Sequence, residues 1–212
     1  MRTLFRDTRI AADFINGVLF NGQLVISLDD VSILDSNQDS HVFSIGITKE
    51  RTRDNIVNVT LENCQCIIGI EHQAQVDKTM FQRTMDYDEM SYLQQFFQYQ
   101  SHLLPIKGVI TLVAYYGQKS WKHARTYKDM MEPIPPTLGQ YMNVESYPLI
   151  EMRYMDEERF HTPELKELVR GLKYLYESQY DDAQEITISQ EIAITLAALT
   201  KNKKIYKKAK ER

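Results

Sequence analysis

Alternation and helical spacing divide the chain into a handful of elements. Residues 6–23, RDTRIAADFINGVLFNGQ, place Ile10, Phe14, Ile15, Val18 and Leu19 at helical spacing, and Asn21-Gly22 supplies a stop. LVISLDDVSILD (24–35) reads as partly extended, and Val42 to Ile47 alternates loosely, as a first core strand would. DNIVNVT (54–60) alternates polar and apolar residues like a half-buried strand, and QCIIGIEHQ (65–73) reads as a more buried one. Asp77 offers an N-cap to a helix running to about residue 100, with Met80, Tyr87, Met90 and Leu93 on its face. VITLVAYY (109–116), bounded by Gly108 and Gly117, is a continuous apolar run of strand length. A strand, a helical crossover and a second strand make a right-handed βαβ unit, so 109–116 is expected inside the sheet and parallel to 65–73. The chain then turns irregular around Pro133, Pro135, Pro136 and Pro148. Thr162-Pro163-Glu164 opens a helix that should bury Leu165, Leu168, Val169, Leu172 and Leu175, and a last helix begins near Ser189.

Composition narrows the class without naming it. With 212 residues, 43% hydrophobic and 25% charged, the chain suits one α/β domain, and no apolar run reaches the ~20 residues of a membrane span. The N-terminus lacks the apolar stretch of a signal peptide, so a cytoplasmic protein is expected. Cys64 and Cys66, two apart, are too few for a four-ligand zinc site and read as reduced packing residues. The net charge of −4 argues weakly against a protein coated in nucleic acid, yet the last dozen residues, KNKKIYKKAKER, are basic. That tail is either a phosphate-binding segment or a solvated helix end.

The chemistry enters with the two strands at 54–60 and 65–73. If the hairpin turns on residues 61–64, Thr60 faces Gln65 and every paired couple sums to 125, which sets Asp54 opposite Glu71. Opposed side chains of an antiparallel pair share a face with Cβ atoms ~5 Å apart, and Gln73 follows on the same face. Two carboxylates so placed repel unless a proton or a divalent cation lies between them. Oxygen-rich sites of this kind suit Mg²⁺.

RTRD (51–54) followed by GIEHQ (69–73) resembles the D…E-x-K signature of the PD-(D/E)XK nuclease superfamily, with glutamine at the lysine position. More narrowly, the chain is similar to the recombination-promoting nuclease/putative transposase family. ADFINGVLFNG (12–22), GIEHQAQVDKTMFQRTMDYDEMSY (69–92), LPIKGVITLVAYYGQKSW (104–121) and YPLIEMRYMDEERF (147–160) follow the family's order and cover roughly residues 8 to 180. The resemblance implies an α/β fold with an αβββαβ core: a mixed sheet flanked by helices over residues 1–160. Residues 161–212 then form a helical C-terminal extension with the basic tail, packed on the same domain; family members often continue past this endpoint. It also implies metal-dependent cleavage of DNA, tied to transposition or recombination. Asp54 and Glu71 would bind Mg²⁺, with Mn²⁺ as the alternative ion, and Gln73 would complete the catalytic set by orienting water.

Other residues carry two readings each. Arg83 is a phosphate clamp or a surface ion pair with Glu89 or Asp86. Arg51 and Arg53 steer the DNA backbone or only solubilise. Asp13 is an accessory acid, as first-helix acids are in some superfamily members, or a solvated helix position. His72 points away from Glu71 in a regular strand and reads as structural rather than as a general base. Tyr115, Tyr116 and Trp121 stack on bases or pack the core, the second being the plainer reading. Double-strand cleavage would call for a homodimer, although nothing marks an interface. The alternative to an active enzyme is a DNA-binding or protein-interaction module that keeps the nuclease fold; Gln73 and the acidic charge favour it, the intact acid pair the enzyme. No glycine-rich phosphate loop, H-E-x-x-H or G-x-S-x-G competes.

Overall fold

The computed structural model describes residues 1–34, 53–98, 105–126, 128–130, 132, 135–140, 146–176 and 187–201. The strand expected over Val42–Ile47, Arg51, and the basic tail beyond Lys201 lie outside them. After a 3₁₀ turn at Leu4–Arg6 come α1 (Thr8–Leu19), β1 (Val31–Leu34), β2 (Asn55–Leu61), β3 (Cys64–Gln73), α2 (Met80–Gln98) and β4 (Gly108–Tyr115). A short α3 (Pro136–Gly139), β5 (Leu149–Glu151), α4 (Pro163–Tyr176) and α5 (Gln190–Thr200) follow. The five strands lie in the order β1-β2-β3-β4-β5. β1, β2 and β3 run antiparallel, while β4 and β5 each run parallel to the strand before. The sheet is therefore mixed, and α1 through β4 give the expected αβββαβ order.

The hairpin between β2 and β3 decides what faces what. Glu62 and Asn63 both take left-handed backbone, with φ of 48° and 67°, so the turn has the two-residue form whose twist matches its flanking strands. Leu61 then pairs with Cys64 and Thr60 with Gln65, and the ladder runs to Asn55↔Ile70, every couple summing to 125. Cys64, expected to pack, is instead exposed at this tip, where a two-residue loop leaves nothing to cover it.

Each face of the sheet has its own core. On one side α1 lays Ile10, Ala11, Phe14 and Ile15 against Val57, Val59, Ile68, Ile70 and Leu112, joined by Leu165, Leu168, Val169 and Leu172 of α4 and Ile192 and Leu196 of α5. On the other, Met80 and Phe81 at the start of α2 pack on Val113, Tyr115, Trp121 and Tyr147. The aromatics after β4 thus serve as core: Trp121 meets Tyr115 edge to face at 5.0 Å. β5 went unread in the sequence because three residues behind a proline are too few to alternate.

Helix ends follow from local chemistry. Asp7 caps α1 by accepting the Arg9 N–H at 2.8 Å. Gly22, with φ of 83°, closes the helix beside Arg159, whose carbonyl oxygen would lie 2.8 Å from any Cβ there. Asn16 then uses both ends of its amide on the backbone of Ile26, fixing the path into β1.

Because Glu62 occupies a left-handed position that favours asparagine, Glu62→Asn is expected to stabilise the protein by about 0.5–1 kcal/mol. Urea unfolding should show a higher midpoint at unchanged slope; a midpoint at or below that of the parent would contradict this account of the hairpin.

Candidate active site

Glu71 lies on the α2 side of the sheet, at the carboxyl end of β3 beside Val113 of β4, and has no exposed surface. Asp54 stands one residue before β2, one step past the ladder, and its side chain is 8% exposed. The two acids meet through the backbone: the Asp54 N–H donates to Glu71 Oε1 at 3.1 Å, and the His72 N–H donates to Asp54 Oδ2 at 2.8 Å. Each carboxylate is thereby held by the strand that carries the other.

Two arginines balance the pair. Arg2, from the segment ahead of α1, bonds Asp54 Oδ1. Arg83, one turn into α2, donates to Glu71 Oε2 at 2.8 Å, to Asp77 Oδ2 at 2.8 Å and to the Tyr87 hydroxyl at 3.2 Å. Its partners are thus Glu71 and Asp77, not the Glu89 or Asp86 expected from helix spacing, because the guanidinium points back over the helix N-terminus toward β3. Asp77 is itself fixed by the N–H and hydroxyl of Thr79, both at 2.8 Å. Burial pulls the Arg83 pKa down, but its bonds to Tyr87 and Asp77 outweigh that and leave it above the ordinary value.

Even so, Glu71 is uncomfortable as an anion. Burial first, and then the charge of Asp54, push its pKa up to about 7 against the opposing Asp54 N–H and Arg83. A buried carboxylate facing a second one, with oxygen donors only, fits a hard divalent ion that completes its shell with water and substrate oxygens. Among the described residues no cluster of three or more His, Cys, Asp or Glu side chains is arranged around such an ion. Gln73 lies on the same face two residues on, half-buried, its carbonyl accepting the Tyr116 N–H at 2.8 Å.

Neither Arg53 nor Asp13 bonds to the pair, although Arg53 lies close enough to Glu71 for its charge to favour the anion. Arg53 is buried, only 4% exposed, rather than facing DNA. Its guanidinium bonds Asp88 at 3.2 Å and stacks 5.3 Å from the Tyr87 ring centre, filling the space above Gly69, where a Cβ would stand 2.9 Å from Nη1. Burial lowers its pKa against the pull of Asp88. A glycine inside an apolar strand was the one sequence signal that something packs there. Asp13 is neither solvated nor near the pair. At 5% exposure its carboxylate accepts the N–H groups of His161 and Thr162 and the Thr162 hydroxyl at 2.6–2.9 Å, stapling α1 to the start of α4. Its spacing from Ile10 and Phe14 already put it on the buried stripe of α1.

His72 turns to the opposite face, as strand alternation requires. Nε2 meets Asn55 Oδ1 and Nδ1 meets the Tyr116 hydroxyl, both at 2.9 Å, while Phe5 packs edge-on at 4.6 Å. Because Asn55 Nδ2 donates to the Arg2 carbonyl, Asn55 offers its oxygen to His72, consistent with a neutral ring that donates from Nε2 and accepts from Tyr116. Burial, the main cause, lowers the His72 pKa to about 3, so it stays neutral near pH 7.

A five-stranded mixed sheet with helices on both faces has the architecture of a PD-(D/E)XK-like core with a helical C-terminal part. The chain belongs to the family described as "Putative transposase, YhgA-like", whose model matches residues 1–206, and which is one of the PD-(D/E)XK-like transposase group. No curated protein and no solved structure matches it. Among the described residues, no helix is long and apolar enough to cross a membrane.

The raised Glu71 pKa carries a pH consequence for the metal-free protein. Between pH 4.5 and about 7 the folded state keeps a proton that the unfolded state releases, so this group's contribution to stability falls as pH rises through that window and is gone above it. Glu71→Gln removes the titration. In EDTA, the stability of Glu71→Gln relative to the parent should therefore improve from pH 5 to pH 8, by on the order of 1–3 kcal/mol in urea unfolding. A parent that gains on the variant with rising pH would refute the buried-anion reading.

Proposed function

We propose that the protein is a metal-dependent DNA endonuclease of the transposase type, cutting phosphodiester bonds at a D…E-x-Q site. The observation that carries this reading is the pairing of Asp54 with a fully buried Glu71 whose ionisation burial and Asp54 oppose. A scaffold gains nothing from two opposed carboxylates, whereas Asp54 and Glu71 together would hold Mg²⁺ or Mn²⁺. Such an ion, when bound, polarises a phosphoryl oxygen and makes hydroxide available near neutral pH.

The chain's own groups supply the rest. The backbone N–H groups of Asp54 and His72 hold the two carboxylates in register. Arg83 positions Glu71 through Oε2 and is still partly exposed, which supports a role in meeting a DNA phosphate better than the buried Arg53 does. Gln73 offers an amide that can orient the attacking water at the position where many relatives carry lysine. It has no charge to stabilise the developing phosphorane, so a slow enzyme is expected. The same substitution supports the second reading, a DNA-binding module that retains the fold.

Supercoiled plasmid incubated with purified protein and Mg²⁺ or Mn²⁺ separates the two. Nicking should appear with metal, vanish in EDTA, and fall by about 100-fold or more in Asp54→Asn and Glu71→Gln, the scale on which loss of a charge-stabilising group is felt. Retardation of duplex DNA on a gel without cleavage under either metal would establish the binding module instead.

A further inference from the structure

Each of the four carboxylate oxygens of the acid pair already holds a donor from the protein. Asp54 Oδ1 takes Arg2 and Oδ2 takes the His72 N–H; Glu71 Oε1 takes the Asp54 N–H and Oε2 takes Arg83. One guanidinium meets each carboxylate, Arg83 being shared with Asp77, and the two are built differently. Arg83 sits on a helix and is fixed by Glu71, Asp77 and Tyr87. The Arg2 side chain is 64% exposed and, among the described residues, makes its polar contacts to Asp54 alone. What is tethered is its backbone: the Arg2 carbonyl accepts Asn55 Nδ2–H at 3.1 Å. Asn55 is in turn bonded to His72, so the tether belongs to the core network rather than to the exposed side chain. The guanidinium can swing while its backbone stays at the mouth of the site.

We propose that Arg2 is an exchangeable counter-ion: it neutralises Asp54 in the metal-free protein, yields that carboxylate to a divalent cation, and then contacts the phosphate of DNA drawn to the ion. This rests on the nuclease reading above. The exchange follows from charge. A divalent ion and a guanidinium on one carboxylate oxygen repel each other, and the weakly anchored cation is the one that leaves. Once Arg2 is free beside a bound cation the site mouth carries a net positive charge, and arginine's planar fork matches phosphate geometry. Asp54 could accept the ion without Arg2 ever contributing to its ligation.

The test titrates Mn²⁺ calorimetrically into metal-stripped, full-length parent, Arg2→Ala, Arg2→Gln and Asp54→Asn, without DNA. The backbone tether to Asn55 survives both Arg2 variants, and equal thermal melts confirm their folds. Arg2→Ala and Arg2→Gln should bind Mn²⁺ about two- to fivefold more tightly, the strength of an exposed ion pair, and Asp54→Asn should not bind. Anisotropy of a short labelled duplex, with Ca²⁺ in place of Mn²⁺ to limit cleavage, should show weaker binding by both Arg2 variants and a salt slope reduced by about one phosphate contact. If the parent binds Mn²⁺, Asp54→Asn does not, and the Arg2 variants match the parent in metal affinity, the exchange is overturned while the metal-site reading stands. Unchanged duplex affinity and salt slope overturn the phosphate contact. Absence of Mn²⁺ binding by the parent and by both Arg2 variants overturns the proposal together with the site it rests on.

Discussion

Two like charges held together by a hairpin are the constraint around which this site is organised. The register of β2 and β3 gives Asp54 and Glu71 no route apart, because a one-residue slip would turn the apolar face of one of the strands outward. The protein answers with donors rather than distance. Two backbone N–H groups lock the carboxylates, and two arginines arrive from separate stretches of the chain, Arg2 ahead of α1 and Arg83 on α2. The N-terminal segment and the crossover helix are thus both tied to one pair of acids, and the placement of each is part of the same electrostatic arrangement.

The opposite face of the same strands is closed and, around His72, uncharged near pH 7. His72 sits one residue beyond Glu71, yet its ring belongs to a chain of hydrogen bonds from the Arg2 carbonyl through Asn55 to Tyr116. That chain makes β3 stiff where it matters. A strand whose outward residues were loosely packed would let Glu71 drift, and the half-buried Gln73 beyond it would follow. Here alternation puts charge on one side and a satisfied polar network on the other, so a single strand separates a titrating environment from a non-titrating one.

Much of this was legible in the sequence, and for identifiable reasons. The hairpin register could be counted from its turn, since a two-residue loop between alternating strands admits one pairing. The parallel placement of β4 followed from a helix between two apolar runs, and α4 announced itself by Thr162-Pro163. The misreadings of charged residues share one cause: burial of a charge depends on partners distant in sequence. Arg53 reads as the flank of a site acid until Asp88 and Tyr87 enclose it. Of the two readings of Arg83, the intrahelical pair gives way to Glu71 on β3 and to Asp77. Asp13 looks like a solvated or catalytic acid until the start of α4, 148 residues later, supplies the N–H of His161. No local pattern contains those partners.

That last separation has a consequence for the order in which the molecule can be completed during synthesis. The β2–β3 hairpin is local and can close as soon as it emerges. The carboxylate of Asp13, however, is buried in the finished protein and has no partners until residues 161 and 162 exist. On the ribosome, α1 can touch the nascent sheet but gains a home for its charge only when about three-quarters of the chain has been made. The pairing of the site's two strands is thus local in sequence, while the contact that seals the layer behind them spans 148 residues.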